Sequence, residues 1–323
     1  MKSTRILMVF LLMVVAIGCS NNEEEKAEET VPQAATETAT ETAPQVATLT
    51  LAELKSATYT GVEEQDPVTL IDGVWEGAPF DEGGSSRPTV HFIRDFHMLG
   101  DLNDDGLEEA AVLLGAGSGG TGENIYLAVV GIREGKLQNL DTILLGDRVQ
   151  IRKAGILEGR LFMDVLRAGP NDAMCCPGEL AVLAWKLNND KLEAMEATSE
   201  PLRLSLESIG GTEWVLRWWG WAEEAPAEPE VTLFFKDGRM GGVSGCNNYF
   251  AAANIGEQPG EISMGQAGGT RKMCPEEIMA VEQRFLAQMD GVKKFGFVAG
   301  MLALSYEFDG DSGVMLFEGR KPE

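Results

Sequence analysis

Histidine is almost missing from this 323-residue chain, which has only His91 and His97. Basic residues are also scarce: 26 Lys and Arg stand against 51 Asp and Glu, a net charge of −25. Binding to nucleic acid by counterion release needs Lys and Arg on the phosphates, so nucleic acid is not an expected partner. No uncharged apolar run reaches the ~20 residues of a bilayer-spanning helix. No CxxC pair occurs, and neither His has metal-ligand spacing to a Cys, which argues against structural zinc. The length suggests two domains with extra segments, at ~100–200 residues per domain.

At the N-terminus, Lys2 and Arg5 precede an uncharged run from Ile6 to Gly18, the layout of a secretory signal. Ala16-Ile17-Gly18-Cys19 resembles the bacterial lipobox, with Ala in place of the usual Leu three positions before the Cys. The resemblance implies removal of residues 1–18, lipidation of Cys19 and a partner in the membrane itself. Ser20 comes directly after the Cys, which by the same resemblance implies the outer membrane, facing the periplasm. Residues 19–48 are acidic and carry no aromatic residue. Such a segment cannot offset its ordering entropy by burial and is expected to be a disordered tether.

Cys175, Cys176, Cys246 and Cys274 remain. In an exported protein they read first as disulfides, with three possible pairings.

Residues 49–200 read as a mostly β domain. Thr50-Leu51-Ala52-Glu53 fits a capping box. Short apolar or alternating runs between Gly-rich turns, such as 89–93, 110–114, 125–132 and 180–187, read as sequential strands. The stretch Gly115 to Gly120 contains G-x-G-x-x-G, but the run from Ile125 to Val130 is β-like where a dinucleotide site needs a helix, so the glycines read as a hairpin loop.

One motif in this region suggests chemistry. Asp101-Leu102-Asn103-Asp104-Asp105-Gly106-Leu107-Glu108-Glu109 alternates oxygen-bearing side chains around a glycine turn. Hard cations take six to eight oxygens, and such a loop can converge them on one point. The twelfth EF-hand position is Val112, so an EF-hand is excluded. The pattern resembles the shorter calcium loops of FG-GAP and related extracellular β modules. That resemblance implies structural Ca²⁺ held by Asp101, Asn103, Asp105 and Glu109 and by the Leu107 carbonyl. The alternative is an acidic turn held by Asx hydrogen bonds without metal. Together with 145–150 and 169–177, this loop resembles a module that precedes META domains in exported bacterial lipoproteins and has no assigned activity.

Residues 204–323 carry sharper motifs. Thr212-Glu213-Trp214-Val215-Leu216, a strand at 231–235, Gly245-Cys246-Asn247-Asn248-Tyr249, and Thr270-Arg271-Lys272-Met273-Cys274 precede a Glu-rich helix. This order resembles the META (HslJ-like) family. The residues themselves agree with it: Asp237-Gly238 reads as a hairpin turn, and Pro275, Glu276 and Glu277 open a helix. Ile278, Val281, Phe285, Met289 and Val292 form its buried stripe. The segment from Trp218 to Pro229 reads as an exposed loop. One helix against a sheet gives an α+β domain, so the whole chain is expected to be α+β and mostly β. Cys246 and Cys274, at one end of that sheet, are the expected disulfide pair.

The META resemblance implies a binding or envelope-maintenance module without catalytic machinery. A non-enzymatic envelope lipoprotein, with an envelope protein or ligand as partner, is therefore the expected function. The alternative is an exported metal-dependent hydrolase using the loop from Asp101 to Glu109.

Overall fold

The computed structural model describes residues 49–62, 66–173, 175–196 and 199–320. The signal, Cys19 and the tether lie outside the described residues. The described residues form one compact unit. As expected, it is mostly β, and no helix among the described residues is long and apolar enough to cross a membrane.

The chain enters through α1 (Leu51–Leu54), whose capping box forms as expected: the Glu53 amide donates to Thr50 Oγ1, and the Thr50 amide donates to Glu53 Oε2. A small pair, β1 (Thr58–Tyr59) and β2 (Val68–Thr69), comes next. A five-stranded meander is then built from β3 (Val74–Glu76), β4 (Thr89–Gly100), β5 (Glu109–Gly117), β6 (Asn124–Arg133) and β7 (Lys136–Asp147). A second sheet contains β8 (Gln150–Leu157), β9 (Arg160–Arg167), β10 (Glu179–Asn188), β11 (Lys191–Ala194) and β12 (Leu202–Arg203).

β5 and β6 read as unbroken apolar runs because both faces of their sheet are covered. Val112, Leu114, Ala128 and Val130 face α1, β1 and β2, packing with Leu54, Tyr59 and Val68. The intervening Ala111, Leu113, Leu127 and Val129 pack on Ile151, Leu161, Met163 and Val165 of the second sheet. The Gly-rich segment after β5 is the hairpin loop the sequence suggested.

After a 3-10 turn (Leu206–Ile209) the chain forms β13 (Glu213–Trp219), β14 (Thr232–Lys236), β15 (Arg239–Val243), β16 (Asn248–Ile255), β17 (Ile262–Met264) and β18 (Gly268–Gly269). Helix α2 (Glu276–Asp290) and strands β19 (Val292–Val298), β20 (Met301–Phe308) and β21 (Asp311–Arg320) complete it. The strand path β17-β16-β15-β14-β13-β21-β20-β19 is joined end to end by a bridge between Glu261 and Lys294 and by the Phe295 amide donating to the Gly260 carbonyl at 2.8 Å. The sheet is thus barrel-like, with its edges largely removed. Trp214, Leu216, Phe235, Leu304 and Phe317 fill the interior together with Phe285 and Met289 from α2.

Asp237 and Gly238 both have positive φ, 52° and 73°, the twist a two-residue hairpin favours. Three expectations need correcting. Val292 is buried as part of β19, not of the helix, because Gly291 ends α2. Pro275 is the N-cap of α2 and Glu276 its first helical residue. Trp218 and Trp219 belong to β13 and Trp219 is buried; only Trp221 stands out, at 62% exposure.

The two regions share contacts. The Gly300 amide donates to the Ile151 carbonyl at 2.8 Å, and the Phe297 amide donates to Gln150 Oε1 at 2.7 Å, so the edge of β8 lies on β19. A bulge in β4 between Phe92 and His97 carries Arg94 across to the C-terminal region. There its guanidinium sits 4.6 Å from the Trp218 ring centroid and donates to the Trp221 carbonyl at 2.7 Å.

Candidate functional site

Two clusters of polar side chains stand out, one in each region. The first is the loop after β4. Asp101 caps it from within: its carboxylate accepts from the amides of Asn103, Asp105 and Gly106, the last at 2.9 Å. The Gly106 contact, helped by the other loop amides, holds the Asp101 carboxyl below its usual range despite some desolvation. Asp105 accepts from the Leu107 amide at 2.8 Å and from the Asn103 side-chain amide at 3.0 Å. Asp104 and Gly106 take positive φ, which lets the backbone coil this tightly.

Glu109 closes the loop from the first residue of β5 and is fully buried. Its Oε2 accepts from the Leu102 amide at 3.0 Å, and its Oε1 from Arg133 Nη2 at 3.1 Å. Arg133 also donates to Asp190 at 2.7 Å and lies 3.9 Å from Asp105. Burial pushes the Glu109 carboxyl up, and the Leu102 and Arg133 hydrogen bonds only partly oppose this. The Arg133 guanidinium is held protonated more firmly than usual, chiefly by Asp190.

Asp101, Asn103, Asp105, Leu107 and Glu109, the residues the calcium-loop resemblance singled out, all lie on this one turn. The side-chain oxygens of Asp101, Asn103, Asp105 and Glu109 accept from loop amides, from the Asn103 side-chain amide and from Arg133. Among the described residues no group of three or more His, Cys, Asp or Glu side chains is placed to hold a metal ion. Arg133 and Asp190 carried no local sequence signal, since they lie 24 and 81 positions beyond Glu109.

The second cluster joins the motif at 245–249 to α2. Glu282 projects from the helix into a sealed space beside Ser244 and Asn247, at 6% exposure against 0% for Ser244. Glu282 Oε2 accepts from the Asn247 amide at 2.8 Å, and Oε1 accepts from Asn247 Nδ2 at 3.0 Å. The Ser244 hydroxyl lies 2.8 Å from both Glu282 Oε2 and the Asn247 carbonyl, so its single proton serves one at a time. Asn247 Oδ1 accepts in turn from Thr270 Oγ1 at 2.8 Å and from the Lys272 amide at 2.7 Å. Burial opposes the charge on Glu282, yet these donors together outweigh it and hold the carboxyl below its usual range.

Cys246 and Cys274 form a disulfide beside this network, with Cα atoms 6.1 Å apart, so the expected pairing is present. The other two cysteines pair as neighbours, Cys175 with Cys176. Gly242 explains one more motif position: a Cβ there would lie 2.1 Å from the Thr232 carbonyl oxygen, so the two strands meet only through glycine. Tyr249 donates to that carbonyl at 3.1 Å and packs edge-on against Phe285, 5.1 Å between centroids. Sequence reasoning missed Glu282. Its signal was a carboxylate next to Val281 and three residues before Phe285, on the buried stripe of the helix.

Chemically, the second cluster is a fastening. Ser244 and Glu282 have the identities of a nucleophile and a base, but both are buried, and Glu282 is held ionised by groups of the fold. His91 and His97 are engaged elsewhere, His91 Nε2 3.3 Å from Glu123 and His97 Nδ1 2.8 Å from the Asp95 carbonyl.

No curated protein matches the chain. Among solved structures, an NMR structure of a protein from Burkholderia xenovorans is similar at 20% identity, covering 40% of this chain and 97% of that one with a TM-score of 0.29. The residues of the barrel-like sheet and of the buried Glu282 network fall within the stretch that matches a known family: residues 205–320 match the META domain.

Proposed function

We propose that this chain is a non-enzymatic envelope lipoprotein, anchored through Cys19 in the outer membrane, whose META domain serves as a binding or maintenance module. The observation that supports this reading is the engagement of the motif. Asn247, Thr270, Lys272 and Glu282 hydrogen-bond one another, and Cys246 and Cys274 are joined. The motif therefore serves to hold α2 on the sheet and presents no group to a substrate. Activity of a binding kind then falls to the outer surface of the fold.

Two measurements test the proposal. Full-length protein in detergent is expected to show no turnover of ester, phosphate, glycosidic or peptide substrates. Turnover that disappears in Asp105→Ala would replace this reading with a metal-dependent hydrolase. Cys19→Ala is expected to move the protein from the membrane pellet to the soluble fraction, and a variant that still pellets after a high-salt wash would refute the anchor.

A further inference from the structure

Methionine is mostly an inward-facing residue in this chain. Met163, Met240, Met289 and Met315 are buried, and four more are half-buried. Among the described residues only Met195 and Met273 stand exposed, at 38% and 92%. Met273 is also the most exposed of all the large apolar side chains described.

The segment that carries Met273 is nevertheless tied on both sides. Before it, the Lys272 amide donates to Asn247 Oδ1 at 2.7 Å, and the Lys272 carbonyl accepts from Asn247 Nδ2 at 3.2 Å. After it, Cys274 is bonded to Cys246, and Glu276 opens α2. Asn247 is in turn held by Glu282. The backbone thus presents the thioether at one fixed place, where it packs on almost nothing. A side chain that forgoes burial adds little to the fold through the hydrophobic effect. What distinguishes methionine from other apolar residues at such a position is its polarizable, oxidisable sulfur.

We propose that Met273 is a reversible modification site: peroxide oxidants convert it to the sulfoxide, and a methionine sulfoxide reductase restores it, with the fold unchanged in either state. In the forward step the sulfur lone pair attacks one oxygen of hydrogen peroxide. An S–O bond forms, the O–O bond breaks, and the departing hydroxide takes the proton of the transferred oxygen and leaves as water. Sulfur gives up two electrons and the peroxide accepts them. In the return step a reductase dithiol supplies two electrons and two protons, the oxygen leaves as water, and the dithiol becomes a disulfide. A sulfoxide is polar and disrupts a core in which a methionine was packed. Met240, Met289 and Met315 lie in the barrel interior, so oxidation there would break packing. At Met273 no core contact is lost, and the ties on either side of it are backbone hydrogen bonds and a disulfide, none of which uses the thioether.

This site is independent of the binding role above, which stands or falls on turnover and on membrane attachment. Full-length protein in detergent would be treated with hydrogen peroxide, and oxidation at each methionine followed by peptide mass spectrometry. Met273 is expected to oxidise at least about twofold faster than Met195 and about tenfold or more faster than Met240, Met289 and Met315. At full oxidation of Met273 the melting temperature should stay within about 1 °C of the untreated value, since no packing is lost. Reductases specific for each sulfoxide epimer should return Met273 to the thioether in the folded protein. Met273→Leu removes the sulfur and serves as the control for any change in stability. Oxidation of Met195 as fast as Met273, or a Met273 that stays reduced because another surface covers it, would overturn the proposal. So would a peroxide-induced fall in melting temperature that Met273→Leu prevents, or a sulfoxide that the reductases reach only after unfolding.

Discussion

Glu109 and Glu282 are two buried carboxylates in one chain, and the fold pushes their pKa values in opposite directions. Both accept a backbone amide and a side-chain donor. Glu282 faces neutral donors in a compact network, with no second carboxylate among its hydrogen-bond partners. Glu109 faces Arg133, but Arg133 is shared with Asp190, and the charge on Asp105 opposes that of Glu109. Burial alone therefore does not set the sign. The sign depends on whether the donors belong to that carboxylate or are divided among several. A charge shared three ways neutralises a loop without strongly favouring any one member, whereas a dedicated set of dipoles fixes one.

The strongest way to break the comparison is to remove the fastening on the META side. Cys246→Ala/Cys274→Ala opens a loop with a sequence separation of 28 residues. The chain-entropy model gives a loss of about 3–4 kcal/mol, read as a fall in the urea unfolding free energy. Glu282→Ala is expected to cost about 3 kcal/mol, since it leaves the Asn247 amide and side chain without a buried acceptor. A loss below about 1 kcal/mol in both variants would mean that the network is incidental to stability.

Next in size is the loop of the first region. Arg133→Met leaves Glu109 buried beside Asp105 with no cation. About 3 kcal/mol is expected to be lost at neutral pH, as when one partner of a buried pair is removed. Glu109→Gln on that background should recover most of it. Failure of that rescue would show that Arg133 acts through packing, not charge.

The pH dependence sharpens the contrast without removing a group from the core. Glu282 has a folded pKa below its unfolded value, so its ionised form stabilises the fold above the unfolded pKa, and that contribution is lost as pH falls through the folded one. Glu109 has a raised folded pKa, so its contribution is most favourable at acid pH and declines as pH rises from the unfolded toward the folded value. Urea unfolding of Glu282→Gln between pH 3 and 8 should show a deficit near neutrality that shrinks in acid. Glu109→Gln should compare best with the parent protein at neutral pH and worse in acid. Two parallel profiles would refute the assignment of opposite shifts.

How much of this was legible in the sequence depended on distance along the chain. The capping box at Thr50 and Glu53, the turn at Asp237 and Gly238, and the loop from Asp101 to Glu109 all draw their partners from within a few residues. Local patterns therefore announce them. The continuous apolar runs of β5 and β6 were also readable, though not the reason for them, a layer on each face. The start of helix α2 was placed within one residue but its expected stripe ran past Asp290 to Val292, and Glu282 passed unnoticed because Asn247, its partner, lies 35 positions away. Closure of the sheet through Glu261 and Lys294, with the Phe295 amide on the Gly260 carbonyl, joins segments far apart in the chain, and no periodicity encodes it. The long bulge of β4 that carries Arg94 to Trp218 and Trp221 likewise has meaning only after both regions are folded. β7 escaped notice because its residues are mostly half-buried and polar positions interrupt it.

The smallest expected effect concerns calcium. The loop holds three carboxylates and an amide oxygen in the order a cation would use, and a single loop of this kind would bind weakly, at about 10⁻⁴–10⁻³ M. For calcium to enter, the Asn103 amide would have to turn away from Asp105 and Glu109, and Glu109 would have to share its charge with both metal and Arg133. Asp101 accepts amides of Asn103, Asp105 and Gly106 on its two oxygens, which leaves lone pairs free and is no obstacle in itself. Arg133 already supplies positive charge where a cation would do so. The expected result is therefore a melting temperature unchanged by several millimolar calcium, both in the parent protein and in Asp105→Ala. A rise in the parent that is absent in Asp105→Ala would show that the loop rearranges around metal. The contrast with Glu282 would then change in kind, because Glu109 would be a ligand whose charge a divalent ion satisfies. Arg133→Met would separate the two cases further: removing the competing cation should strengthen calcium binding if the metal and the guanidinium occupy the same place, and leave it absent if the loop is an acidic turn alone.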